Sequence, residues 1–363
     1  MNKITFAIIG SGWRTEFFLR IVQALPEQFA VNAVLVRNPD KRAAFTQQWD
    51  VPAVGSLDEL LTTGITPQFV VVSVPWAPAP DYIFACAERG MPVLCETPPA
   101  PTLEGLIQLH ALTERGAVVD VAEQYIFQPL HMARLNIIES GKLGTVTQAQ
   151  VSIAHGYHGI NLMRRFLGMG FENVTINARK FTAPLVQGLG RNGLPTEEKI
   201  APDSQLMAYF DFENGKLGTF DFTGSQYFSW VRSNRLLVRG ERGELIGTQG
   251  SDQVRWLQDF RTPMSTTLQR HDAGISGNLE GFFHKGYSLG AEWVYQNPFA
   301  PGRLSDDEIA IAVCLQKTAE HAAGGPAFYG LPEASQDHYL SLLMNEAAET
   351  GKPVTSVTQP WAG

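Results

Sequence analysis

Residues 4–12 read ITFAIIGSG, a short β-branched apolar run followed at once by Gly10-Ser11-Gly12. Such a run is expected of a strand buried on both faces of a parallel sheet. From residue 16 to 25 the apolar spacing becomes helical, through Phe17, Phe18, Ile21, Val22 and Leu25. Strand, tight glycine turn and helix are the context in which a G-x-G-x-x-G element holds a nucleotide. The glycines let the backbone approach a pyrophosphate, and the helix start offers free N–H groups and a positive dipole end. The third glycine is replaced by Thr15, so an ordinary strand–helix turn is the alternative reading. Gly10, Ser11, Gly12, Trp13 and Arg14 are the residues expected at the phosphates.

The next strand, expected over residues 31–36 (VNAVLV), selects the dinucleotide. NAD-selective folds place Asp or Glu at its end to bind the ribose 2′-OH. Here Val36-Arg37-Asn38 follows, with Lys41 and Arg42 nearby. A guanidinium can meet a 2′-phosphate and stack on adenine, so NADP is expected with Arg37 as its reader, and NAD is the alternative. The other reading of Arg37 is a solvated loop residue.

Alternation continues, with helices expected over 40–49, 57–61, 80–89 and 102–115 and strands over 69–74, 91–95 and 118–122. Strands and helices in turn, joined by short loops, predict a doubly wound parallel sheet. Its ligand belongs outside the carboxyl ends of the strands, which gathers Gly10–Arg14, Arg37, Pro75, Trp76, Glu96 and Thr97 onto one rim. Beyond residue 122 the pattern changes. Strands expected over 206–212, 216–223, 236–240, 244–247 and 254–257 are joined by turn signals such as Glu213-Asn214-Gly215. Successive strands with short turns make antiparallel hairpins. Helices are expected over 306–322 and 332–350.

The chain has 363 residues, 44% of them apolar and 18% charged. That length suits two domains rather than one core, divided as 1–122 and 123–363. The net charge of −8 argues against nucleic-acid binding, which needs a cationic surface. No apolar run nears the roughly 20 residues that span a bilayer, and Lys3 with its short apolar run is not laid out as a signal peptide. Three cysteines in no metal-ligand spacing suit a reducing compartment. A cytoplasmic protein is expected, with no membrane or nucleic-acid partner.

IIGSGWR, VSVP, GMPVLCETP, AEQYIFQP, SGKLGTV and HGYHGINLMRRFLG occur in this order between residues 4 and 168. In this ordered set the chain resembles the Gfo/Idh/MocA oxidoreductases, two-domain NAD(P)-dependent sugar and polyol dehydrogenases. The resemblance implies a Rossmann domain followed by an α/β domain whose open, mostly antiparallel sheet walls the substrate cleft. It also implies a carbohydrate-like substrate and a homodimer or homotetramer formed through that sheet. In the family the strand-end motif is usually Glu-Lys-Pro, and its lysine acts on the substrate hydroxyl; here that position is Thr97. An Asp usually stands four residues before the family histidine; here it is Ala154, while His158 remains. The later Asp on the same helix is Asn161.

Hydride transfer from an alcohol needs a base for the hydroxyl proton. The candidates are His158 and His155, which carry the side chain that titrates near neutrality, with Tyr157 and Tyr125 beside them. Glu123 ends the last strand, Gln124 takes a position where relatives carry Asn near the cofactor, and Lys285 is a candidate source of the missing ammonium. His155 and His158 are also half of a metal site, but no further ligands suggest themselves, and no metal is expected. Either histidine also reads as a buried structural residue. The segment Gln226-Tyr227-Phe228-Ser229-Trp230 is a candidate sheet-edge contact or sugar platform. Two further functions fit the altered motifs. One is a non-redox enzyme that cleaves glycosides by transient oxidation on a tightly bound cofactor. The other is a cofactor-binding sensor without catalysis.

Overall fold

The computed structural model describes residues 3–190, 193–248, 251–274, 276 and 281–363. Strands β1 (Ile4–Ile9), β2 (Phe29–Leu35), β3 (Ala53–Val54), β4 (Phe69–Val72), β5 (Val93–Cys95) and β6 (Val119–Val121) form one sheet in the order β3-β2-β1-β4-β5-β6. Every neighbouring pair is parallel. All four residues of β4 and the last four of β1 are buried, which is why these strands read as continuous apolar runs instead of alternating. The strand order reverses between β1 and β4, so the crossovers part there and open a crevice at the carboxyl ends. Gly10 leaves β1 with φ +117°, and a Cβ at this position would lie 2.0 Å from the Ser73 carbonyl oxygen beyond β4. Only glycine can make that turn.

The second sheet has eleven strands. They are β7 (Val146–Ser152), β8 (Val174–Val186), β9 (Ile200–Phe212), β10 (Leu217–Thr223), β11 (Arg235–Gly240), β12 (Gly243–Thr248), β13 (Ser251–Asp259), β14 (Thr262–Ala273), β15 (Phe283–Leu289), β16 (Glu292–Gln296) and β17 (Val354–Thr355). Their order is β16-β15-β14-β13-β12-β11-β7-β10-β9-β8-β17. Only β7 and β10 pair in parallel; the other pairs are antiparallel. One face is covered by helices and the other is open. In β9, Ala208, Phe210 and Phe212 point inward while Met207 and Tyr209 are exposed, the period of two that a half-covered sheet imposes. Strands β8 and β14 were not expected from sequence. Much of β8 and most of β14 are exposed, so no alternation marks them.

Two polar networks hold the layers. Arg164, on the helix Gly156–Leu167, is almost fully buried and pairs with Asp337 of the helix Leu331–Thr350 at 2.5 Å. Asp337 also accepts Asn161 Nδ2 at 2.7 Å and the Tyr329 hydroxyl at 2.6 Å. The helix Asp306–Ala322 starts with a capping box, Ser305 with Glu308. Its first three carboxylates each take a different arginine: Asp306 takes Arg270 of β14, Asp307 takes Arg14, and Glu308 takes Arg20. Cys86, Cys95 and Cys314 are free and buried. No helix among the described residues is long and apolar enough to cross a membrane.

Removing one member of a buried ion pair leaves the other charge uncompensated. Asp337→Ala should therefore cost about 3–5 kcal/mol in urea unfolding. Asp58→Ala, which breaks the exposed pair with Arg89, should cost less than about 1 kcal/mol.

Candidate functional site

A cleft of about 730 Å³ opens where the first sheet's carboxyl ends meet the second sheet. Every candidate residue from the sequence lines it. Gly10, Ser11, Gly12, Trp13 and Arg14 come from the turn after β1 and the helix start, and Arg37 follows β2. Pro75 and Trp76 follow β4, Glu96 and Thr97 follow β5, and Gln124 and Tyr125 follow β6. His155, Tyr157 and His158 come from the turn between β7 and the helix Gly156–Leu167. Lys41, Tyr227 and Asp307 complete the wall.

The glycine-turn end has the properties of a dinucleotide cradle. The helix Trp13–Ala24 starts at Gly12, with no side chain capping its first N–H groups. A Cβ on Gly12 would meet nothing within 4 Å, so its bare backbone faces open space. Thr15, at the third glycine position, is buried and donates its hydroxyl to the Gly10 carbonyl at 3.1 Å, tying the turn internally. Arg42 is spent on backbone: its Nε donates to the Val36 carbonyl at 2.8 Å and its Nη2 to that of Arg37 at 3.3 Å. Arg37 and Lys41 therefore present the cationic side chains beyond β2. Gln124 is buried and its Oε1 has no hydrogen-bond partner, an acceptor available to an amide N–H such as a nicotinamide carboxamide carries.

At the other end, His158 Nδ1 lies 2.6 Å from Glu123 Oε2, and Glu123 Oε1 accepts the Tyr125 backbone N–H at 3.1 Å. Glu123 is wholly inaccessible and His158 is 5% exposed. Burial pushes the Glu123 carboxyl well above the usual carboxylate range. Burial, with Arg14 adding to it, pushes His158 down to about 3. Both shifts have one cause: neither charge is tolerated away from water. The Tyr125 ring packs 4.6 Å from that of His158. The Tyr157 hydroxyl donates to the Thr97 carbonyl at 3.3 Å, so a phenol stands beside the position where the family's lysine is absent. Arg14 donates to Glu96 at 2.9 Å and to Asp307 at 3.3 Å. The Tyr227 hydroxyl accepts the His155 backbone N–H at 3.1 Å and lies 2.6 Å from His155 Nδ1.

Three sequence expectations change. Lys285 is exposed on β15 and is not among the lining residues, so it does not replace the missing lysine. Asn161 is turned away to Asp337. The segment 226–230 divides, because Gln226 is buried and donates to the Ser152 carbonyl at 2.8 Å while Trp230 is 77% exposed. Only Tyr227 of that segment lines the cleft. Asp307 was not foreseen, since it meets Arg14 across 293 positions; its only local signal, an acidic helix start, reads as dipole compensation. Among the described residues no group of three or more His, Cys, Asp or Glu could hold a metal ion.

Residues 4–123 match the family model described as an oxidoreductase family with an NAD-binding Rossmann fold. An uncharacterised oxidoreductase of Schizosaccharomyces pombe is 29% identical over 41% of this chain and 41% of its own length. Inositol 2-dehydrogenase 2 of Saccharopolyspora erythraea is 27% identical over 54% of this chain and 55% of its own. The chain thus spans about half or less of the curated relatives it matches. Among solved structures, levoglucosan dehydrogenase in complex with NADH superposes with a TM-score of 0.71 at 16% identity, covering 98% of this chain and all of that one. An oxidoreductase of Agrobacterium radiobacter, in complex with NAD+, L-tartaric acid and magnesium, gives 0.68 at 15% identity over 97% of this chain and 98% of that one. The glycine turn, the parallel sheet and the family match agree: the chain belongs to the Gfo/Idh/MocA oxidoreductases.

Proposed function

We propose that the protein is an NADP-dependent dehydrogenase or reductase of a sugar, a polyol or a sugar-derived carbonyl, with His158 as its acid–base group. The observation that carries this reading is the buried Glu123–His158 pair at the carboxyl end of β6. The dinucleotide, when bound along Gly10–Arg14 and Gln124, supplies the hydride acceptor or donor. What this chain must add is management of one proton. An imidazole held near 3 does not become imidazolium at neutral pH, so the pair titrates as one acid. In its protonated form Glu123 donates to His158 Nδ1, and Nε2–H is a donor for the cleft. In its deprotonated form His158 Nδ1–H donates to the Glu123 carboxylate, and Nε2 is a base. Oxidation of an alcohol places the hydroxyl proton on Nε2 while Nδ1–H passes to Glu123; reduction of a carbonyl runs the same shift backwards. No isolated charge forms in the buried pair except the carboxylate, which faces Arg14 as well as Asp307 and Asp337.

A polyhydroxylated ring suits the aromatic walls of Tyr125, Tyr157 and Tyr227, and it is the kind of molecule that the inositol and levoglucosan dehydrogenases are named for. Arg37 and Lys41, with no carboxylate beside them on the cleft wall, favour a 2′-phosphate. The exposed stripe of Phe181, Met207 and Tyr209 on the open sheet face favours self-association there into a homodimer or homotetramer.

Three outcomes are expected. With NADP and a panel of glucose, sorbitol and myo-inositol, nicotinamide absorbance should change on turnover, and His158→Ala should lower kcat on the order of 10²- to 10⁴-fold. Unchanged turnover in that variant would remove His158 from the chemistry. Oxidation requires the deprotonated pair, so its kcat/KM should rise with pH through an apparent pKa above the usual carboxylate range, and reduction should fall through the same value. Glu123→Gln should abolish that limb; a persisting limb assigns it elsewhere. Arg37→Ala should weaken NADP binding more than NAD binding in fluorescence titration, and equal effects would reject Arg37 as the 2′-phosphate reader.

A further inference from the structure

The Glu123–His158 pair takes up a substrate proton in a place that water barely reaches, since Glu123 is inaccessible and His158 is 5% exposed. One proton must therefore leave, or enter, on every turnover. The family's lysine position is Thr97, which has no ammonium to carry it. Arg14 is fixed by Glu96 and Asp307 and stays charged. The Tyr157 hydroxyl is engaged with the Thr97 carbonyl.

One chain of groups leads outward. Tyr125 packs its ring against His158 at 4.6 Å. Its hydroxyl hydrogen-bonds that of Tyr227, and the Tyr227 hydroxyl lies 2.6 Å from His155 Nδ1. His155 is exposed and sits at the N-cap of the helix Gly156–Leu167. A phenol and an imidazole each both donate and accept, so the three groups can point the same way along the chain. The rings facing His155 are those of Tyr157 at 5.3 Å, His158 at 4.9 Å and Tyr227 at 5.9 Å.

We propose that Tyr125, Tyr227 and His155 form a proton relay that connects His158 to solvent. It rests on the oxidoreductase reading above. During alcohol oxidation the proton on His158 Nε2 passes to the Tyr125 oxygen as Tyr125 gives its own proton to the Tyr227 oxygen. Tyr227 gives its proton to His155 Nδ1, and His155 releases one from Nε2 to water. At each station one O–H or N–H bond breaks and one forms. Nothing along the relay is oxidised or reduced, and the hydride with its electron pair goes to the nicotinamide dinucleotide. Carbonyl reduction draws a proton inward by the same steps.

The test uses the whole protein with NADP and whichever of glucose, sorbitol or myo-inositol turns over, and compares Tyr227→Phe and His155→Ala with the unaltered chain. Hydride transfer in the first turnover should stay near the unaltered rate, because the pair begins charged with its own proton state. Steady-state kcat should fall roughly 10- to 100-fold in both variants, and its solvent deuterium isotope effect should rise. Added imidazole should restore His155→Ala but not Tyr227→Phe, which a merely structural role for these side chains does not produce. Unchanged kcat in both variants, or a slowed His155→Ala that imidazole fails to restore, would overturn the relay alone. An unaltered protein that binds NADP yet moves no hydride with any of the three would overturn the oxidoreductase reading and the relay with it.

Discussion

The helix Asp306–Ala322 begins with three carboxylates, and each is held by an arginine on a different element: Arg270 on a strand of the second sheet, Arg14 at the glycine turn, and Arg20 on the helix that follows it. Because the Ser305–Glu308 capping box sets the first turn, the three side chains are splayed by the helix itself. An exposed ion pair taken singly contributes little. Here the contacts share one rigid origin, so the second sheet and the glycine turn cannot move independently without breaking several at once. Arg14 is the member that matters most to the cleft. Burial works against its charge, yet Glu96 and Asp307 together keep it firmly protonated, so it is a fixed cation of the wall.

That fixed frame gives the buried pair its properties. Glu123 and His158 come from different parts of the chain, one from the end of β6 and one from the helix after β7, and they meet at 2.6 Å only because the two sheets are held in register. Water is excluded, so a single charge there is costly. The pair avoids that cost by moving protons between its members, with Arg14 as the counter-charge when the carboxylate is exposed to the field. The positive side chains beyond β2 and the carboxylates beside Arg14 lie at different strand ends, which gives the cleft an electrostatic direction along its length.

The first sheet was legible because buried parallel strands leave continuous apolar runs, and because Gly10 faces a constraint that one residue type alone can meet. The rim followed from topology: once strands alternate with helices, whatever follows each strand gathers at one edge. For that reason residues as distant as Gly10 and His158 could be assigned to one place before any distance was known. The second sheet was only partly legible. Strands β8 and β14 carry Arg, Lys, Pro and Thr on solvated faces, and without a covered side no periodicity is imposed on them. The partners of Arg14 and Asn161 were illegible, since pairing across 293 and 176 positions leaves no mark on local sequence. Lys285 failed as a substitute for the lysine for the same reason, because residue type says nothing about which face of a strand a side chain takes.

The three cysteines give the molecule an internal gauge of its own opening. Burial pushes each thiol above its ordinary range, and a protonated, enclosed thiol is a poor nucleophile. A thiol reagent can therefore modify Cys86, Cys95 or Cys314 only in molecules where the surrounding element has come apart. Cys95 ends β5, next to Glu96 on the cleft rim; Cys314 lies within the helix that carries the three carboxylates; Cys86 lies in the helix Ala79–Ala87. Their separate labelling rates would read the local unfolding free energy of the cleft rim, the clamp helix and an outer helix in one unmodified protein.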